Sequence, residues 1–138
     1  MCVFCDIVRG ETPAHVVFED DLTLAFLDVR PVFEGHTLLV PKEHHETLGE
    51  LPDALIAPLF TNARTLSLAV VAAMDAVGTF VAMNNKVSQS VPHLHVHVVP
   101  RRPKDGLRGF FWPRRKYRDE DEMKSVAGAI RAAVGASE

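Results

Sequence analysis

The stretch His93-Leu94-His95-Val96-His97-Val98-Val99 alternates histidine with aliphatic residues, a period of two that dictates a β-strand. Side chains on a strand alternate between faces, so the three histidines share one face while Leu94, Val96 and Val98 turn to the other, toward a core. Successive imidazoles then stand about 7 Å apart, at a rise of ~3.3 Å per residue. A neutral imidazole is a nucleophile, and titration near ~6.5 lets a neighbouring ring donate a hydrogen bond or proton at the same pH. The run reads as a prepared site for attack on a phosphorus centre. Two other readings of the residues stay open. The histidines could merely form the polar face of a half-buried strand, or a His-x-His pair could chelate a catalytic zinc, copper or iron.

Working outward, Thr79-Phe80-Val81-Ala82-Met83 reads as the preceding strand, joined through the polar loop Asn84 to Ser90, and Pro100 closes the histidine strand, predicted over Leu94 to Val99. Upstream, Val16-Val17-Phe18-Glu19 and the run Leu22 to Leu27 form a predicted hairpin around Glu19-Asp20-Asp21. A third strand, His36-Thr37-Leu38-Leu39-Val40, is closed by Pro41. Between Asp53 and about Ala76 apolar residues recur at helical spacing, with Pro58 placing either the start or a kink in the first turns. A Gly-, Pro- and Arg-punctuated stretch from Gly106 to Tyr117, containing Phe110-Phe111-Trp112, precedes a second helix from Asp119 to about Val134, acidic first and alanine-rich after. Five strands with segregated helices predict an α+β domain: a five-stranded antiparallel sheet, one main helix and a C-terminal helix. At 138 residues there is room for one such domain.

The net charge of −3 and 24% charged residues give no electrostatic footprint for nucleic acid. The basic residues between Arg101 and Lys116 are offset at once by Asp119-Glu120-Asp121-Glu122. No run approaches the ~18 consecutive apolar residues of a membrane span, and the start lacks a basic region followed by an apolar stretch, so a cytoplasmic protein without a membrane partner is expected. Cys2 and Cys5 are the chain's two cysteines. Their Cys-x-x-Cys spacing suits a metal knuckle or redox pair in a reducing compartment, and supplies half of a tetrahedral site.

The His-x-His-x-His-x-x pattern, with apolar residues at each x, resembles the signature of the histidine-triad (HIT) superfamily. The likeness extends over about residues 3 to 100, through Phe4-Cys5-Asp6-Ile7, Phe18-Glu19-Asp20-Asp21, Leu24 to Asp28, Gly35 to Lys42, and Gln89-Ser90-Val91, and is strongest to the Hint branch. Residues 101–138 form a C-terminal extension to that core. The resemblance implies a HIT fold and a hydrolase or nucleotidyl transferase acting at the α-phosphate of purine nucleotides, with nucleoside phosphoramidates the leading substrate class and no catalytic metal required. By position, His95 matches the nucleophile that forms a nucleotidyl-imidazole intermediate. His97 matches the phosphate-binding residue, His36 a supporting histidine, and Ser90 a hydroxyl near the leaving group. Asp28 matches the carboxylate that grips ribose, and Phe4, Ile7, Phe26, Val29 and Leu38 match the walls around the base. Asn84 and Gln89 fall at positions that meet the nucleotide. The loop before Gln89 departs from many relatives in having no glycine.

In relatives with this N-terminal cysteine pair, the resemblance implies one structural zinc held by Cys2, Cys5, His44 and His93, with His45 adjacent to His44. It also implies a homodimer. Two alternatives stand beside a phosphoramidase-like hydrolase: a dinucleoside polyphosphate hydrolase of the Fhit type, and a nucleotide-binding regulatory protein without catalysis.

Overall fold

A computed structural model describes residues 2–107 and 114–137; the Phe110-Phe111-Trp112 stretch and the Trp112-Pro113 pair lie outside them. The described chain falls into two compact units, Met1–Asp105 and Gly106–Glu138. The first contains α1 (Val3–Val8), β1 (Val16–Glu19), β2 (Thr23–Leu27), β3 (Thr37–Pro41), a 3-10 turn at Leu48–Glu50, α2 (Asp53–Met74), β4 (Gly78–Ala82) and β5 (Val96–Arg101). The second carries α3 (Glu120–Ser137), whose first turn holds Glu120, Asp121 and Glu122, where acidic side chains favour a helix start.

The strands form the one five-stranded antiparallel sheet that the sequence predicts, and the structure sets their order as β1-β2-β3-β5-β4. β2 and β3 lie inside it and are covered on both faces, which explains their unbroken apolar runs. Ala25, Leu39, Val96 and Val98 point to one face and pack under the α2 stripe Leu55, Leu59, Ala63, Leu66 and Val70. Leu24, Phe26, Leu38 and Val40 point to the other and meet Phe4 of α1. By length and composition α2 is apolar enough to cross a membrane, which the run of residues alone does not suggest. Its buried stripe, however, is spent on the sheet.

Pro58 neither starts α2 nor bounds it: the helix runs through it from Asp53. Pro100 likewise lies within β5, opposite Thr79, rather than ending the strand. The β3 ladder on the other side of β5 stops at Val98, so no bond is demanded there of the residue that lacks an N–H. At its other end β5 begins at Val96, two residues later than the alternation predicts, leaving His93 and His95 ahead of the ladder.

Two local devices hold the scaffold. Asp20 Oδ1 accepts from the Leu22 and Thr23 amides at 3.0 and 2.7 Å and from Thr23 Oγ1, while its Oδ2 accepts from Asn62 of α2 at 2.8 Å. One carboxylate thus closes the β1–β2 turn and ties it to the helix. Gly35 stands at φ +97°, and a Cβ there would come within 2.6 Å of Met74 Cγ, so both backbone and packing favour glycine just before His36.

Candidate active site and metal cluster

Three elements converge on one face of the sheet. The end of β2 and the following loop bring Asp28, β3 begins beside His36, and the segment entering β5 brings His93, His95 and His97. A cavity of about 520 Å³ opens there. It is lined by Phe4, Ile7, Phe26, Val29 and Leu38, by Asp28, and by Ser90, His95 and His97, which unites most of the residues singled out from sequence. His36 stands behind it, 4% exposed. Asn84 and Gln89 are not among the lining residues. The Gln89 side chain instead ties its loop down, donating to the Glu46 carbonyl at 2.6 Å and accepting from the Lys86 amide at 2.9 Å. Without glycine, that loop places Lys86 and Ser88 at φ 71° and 60°. Thr12, Pro13, Ala14 and Arg30 also line the cavity and are not among the residues that the sequence points to.

The hydrogen bonds make the imidazoles unequal. His95 Nδ1 lies 2.7 Å from the His93 carbonyl, which accepts only, so Nδ1 carries the proton and Nε2 of the neutral ring keeps the lone pair. The Val32 amide donates to His36 Nδ1 at 3.0 Å, which puts the proton of neutral His36 on Nε2. His36 Nε2 then donates to His97 Nδ1 at 3.0 Å, leaving His97 an Nε2–H donor. Asp28 Oδ2 stands 3.6 Å from His36 Nε2, and its Oδ1 accepts from the Arg30 amide at 2.9 Å, so Asp28 both shapes its turn and faces the cavity. One nucleophilic nitrogen and one donor therefore sit on adjacent rings, with centroids 4.9 Å apart.

Burial, then the neighbouring His95 and His36, pushes His97 down to about 4, with Asp28 opposing. Burial also lowers His36, again against Asp28. An unfolded imidazole takes up a proton below about 6.5, whereas these native rings resist until lower pH. Stability is therefore level above pH ~6.5 and falls as the pH drops toward 4, because the unfolded state binds more protons in that window. Urea midpoints at pH 7 and pH 5 check this: the drop is expected to be smaller in His97→Gln than in the parent, and equal drops would remove His97 as its source.

A second cluster lies beside the first. Cys2, Cys5, His44 and His93 bring their ligand atoms within 4.8 Å of one another. His93 Nδ1 lies 3.5 Å from both Cys2 Sγ and Cys5 Sγ, and Cys5 Sγ lies 3.3 Å from His44 Nδ1. The S···N edge of a tetrahedral zinc site with ordinary bond lengths is about 3.5 Å, so these side chains fit such an ion. His93 Nε2 donates to the Pro41 carbonyl at 2.8 Å, which aims its Nδ1 lone pair at the cluster, the outer-shell bond a metal-ligating histidine requires. Burial, then the adjacent Cys2, pushes the Cys5 thiol up, so metal uptake there would displace a proton. Asp28, His36 and His97 also approach within 4.8 Å. There the Val32 amide occupies His36 Nδ1 and leaves a proton where a metal would bind, so their chemistry is that of a hydrogen-bond chain. His45, the neighbour of His44, is turned to Glu43 at 2.7 Å.

A five-stranded antiparallel sheet that presents these imidazoles above one cavity defines a known class, and the chain belongs to the HIT domain family, whose pattern residues 9–104 match. Among its relatives is the adenylylsulfatase HINT3 of Arabidopsis thaliana, 38% identical over 77% of this chain but only 55% of that protein, so the chain spans little more than half of it. The adenosine 5'-monophosphoramidase HNT1 of Saccharomyces cerevisiae is 31% identical over 81% of this chain and 70% of its own length. Of solved structures, a HIT family protein from Bacillus subtilis aligns with a TM-score of 0.83 at 33% identity, covering 95% of both chains. A zinc-bound histidine triad protein from Mycobacterium smegmatis aligns at 0.74 and 36% identity, covering 99% of this chain and 97% of its own.

Proposed function

We propose that the protein is a nucleotide hydrolase that cleaves the bond between the α-phosphate and its leaving group in purine nucleotides, nucleoside phosphoramidates foremost. The observation that carries this is the tautomer chain, which leaves a lone pair on His95 Nε2 beside an N–H donor on His97. The His95 nitrogen attacks the α-phosphorus, a P–N bond forms, and the bond to the leaving amine breaks as the amine takes up a proton from solvent, which the water consumed in the second step returns. Water then cleaves the P–N bond, releasing the nucleoside 5′-monophosphate and restoring the free ring. Negative charge grows on the phosphoryl oxygens in both steps, where the His97 donor acts preferentially on the transition state. The Ser90 hydroxyl serves the leaving group. Asp28 accepts ribose hydroxyls, and Phe4, Ile7, Phe26, Val29 and Leu38 hold the base.

Cys2, Cys5, His44 and His93 hold one structural zinc, which as a four-ligand site supplies stability and leaves no position for substrate. The family resemblance supports a homodimer, and a Cys-x-x-Cys pair serving as a metal knuckle suits the reducing cytoplasm. A cavity of about 520 Å³, within the usual range of ~300–1,000 Å³ for small-molecule sites, is large enough for one nucleotide, and the preference for phosphoramidates over dinucleoside polyphosphates rests on the resemblance to the Hint branch. Steady-state kinetics on both is the test: kcat/KM for an adenosine phosphoramidate is expected to exceed that for diadenosine polyphosphates by about 100-fold or more. The reverse ratio would sink the assignment.

A further inference from the structure

We infer that the metal cluster is a redox-releasable clamp on the nucleotide cavity, opened when an oxidant of the peroxide class joins Cys2 and Cys5 in a disulfide. The inference rests on the nucleotide-hydrolase reading and extends it to regulation. Both cysteines of the chain belong to the cluster, one before and one within α1, and the two residues between them are Val3 and Phe4. Val3, Phe4 and Ile7 of that helix line the cavity. Phe4 also sets its edge against the His95 ring, with centroids 5.1 Å apart, and against Phe26 at 5.3 Å. A helix of 6 residues has little stability of its own, so its position depends on what anchors it. On one side that is the apolar cluster around Phe4; on the other it is Cys2 and Cys5.

The same cluster reaches His95 along the chain. The His93 ring belongs to the metal ligands, and its carbonyl holds His95 Nδ1. Whatever frees the thiolates therefore loosens both a cavity wall and the support of the proposed nucleophile. The thiols are accessible: Cys2 and Cys5 are half-buried and His44 is exposed, while His93 is sealed beneath them. A small oxidant can reach the sulfurs from that side.

In the reaction each thiolate gives up one electron and a Cys2–Cys5 S–S bond forms. The peroxide O–O bond breaks, taking two electrons and two protons, and two waters leave. The neutral disulfide no longer offers two thiolate charges to a divalent cation, which is released to solvent. A dithiol reductant with added zinc reverses the step.

The test titrates the zinc-loaded full chain with hydrogen peroxide. It follows zinc with a chromophoric chelator, the disulfide by intact mass, AMP affinity by calorimetry, and α1 by amide hydrogen exchange. Expected together are zinc release, loss of two hydrogens in mass, faster exchange over Val3–Val8, and a Kd for AMP raised about tenfold or more, the scale of losing an aromatic wall. Cys5→His retains a metal-competent side chain and cannot form the disulfide; whatever its starting AMP affinity, that affinity is expected not to respond to peroxide. Retention of zinc under excess peroxide would overturn the inference. So would zinc release with α1 exchange unchanged, or an equal response of Cys5→His, which would place the oxidation elsewhere. If the untreated protein does not bind AMP, the nucleotide-hydrolase reading fails, and the exchange data still decide whether the clamp exists.

Discussion

His95→Ala is expected to lower turnover of an adenosine phosphoramidate by about 10⁴-fold or more, the scale seen when a covalent nucleophile is removed. AMP affinity is expected to stay within about tenfold, because the apolar walls and Asp28 remain. His95 carries the cavity-lining imidazole whose Nδ1 is committed to a carbonyl and whose Nε2 keeps its lone pair. His97 spends its Nδ1 accepting from His36 and offers a proton instead. Rapid quench of the parent with labelled substrate into alkali is expected to leave label on His95 and none in the variant. A residual rate within tenfold of the parent would defeat the covalent route and leave a protein that binds nucleotide without using this ring as nucleophile.

Removal of the metal is expected to have the largest effect on stability. A chelator that strips the protein, checked by elemental analysis, is expected to lower Tm by roughly 10 °C or more, with recovery on adding zinc. Four ligands separated in sequence by as many as 91 residues close a long loop, and without the ion only weak thiol–imidazole hydrogen bonds hold it shut. Among single replacements, His93→Ala is expected to be worst. Its ring is fully buried and bonds the Pro41 carbonyl, so its loss leaves a cavity and an unpaired acceptor as well as a missing ligand. His44→Ala, at an exposed position, is expected to be milder. A metal-free protein that melts at the temperature of the loaded one would remove the structural role.

Much of the scaffold is legible in the sequence because its signals are local. β1 matches its predicted span residue for residue, and α2 shares its predicted start at Asp53. Proline misleads: Pro100 is read as closing its strand yet sits inside β5, where the neighbouring ladder has already ended, and of the two readings of Pro58, a start or a kink in the first turns, the start fails because α2 runs through it from Asp53. α1 has no sequence signal of helix, since so short a segment is held by Phe4 burial and by the thiols at its N-cap and in its first turn rather than by propensity. The resemblance brings the metal ligands and pocket walls within reach, and the structure gathers them as clusters. For Gln89 the side chain is taken up in bracing its own loop.

By itself the sequence determined which side chains along the run share a face, though not where the strand begins, because a period of two needs nothing beyond the residues of the run. His93, His95 and His97 must share a side if the run is extended. Only the tertiary structure decided that the three are not alike. Which nitrogen holds the proton depends on Pro41 for His93, on the His93 carbonyl for His95, and on Val32 through His36 for His97. The late start of β5 leaves the His93 carbonyl outside the ladder and available to His95. An imidazole's role follows from the partner at each nitrogen, and most of these partners are brought there by the fold from distant parts of the chain.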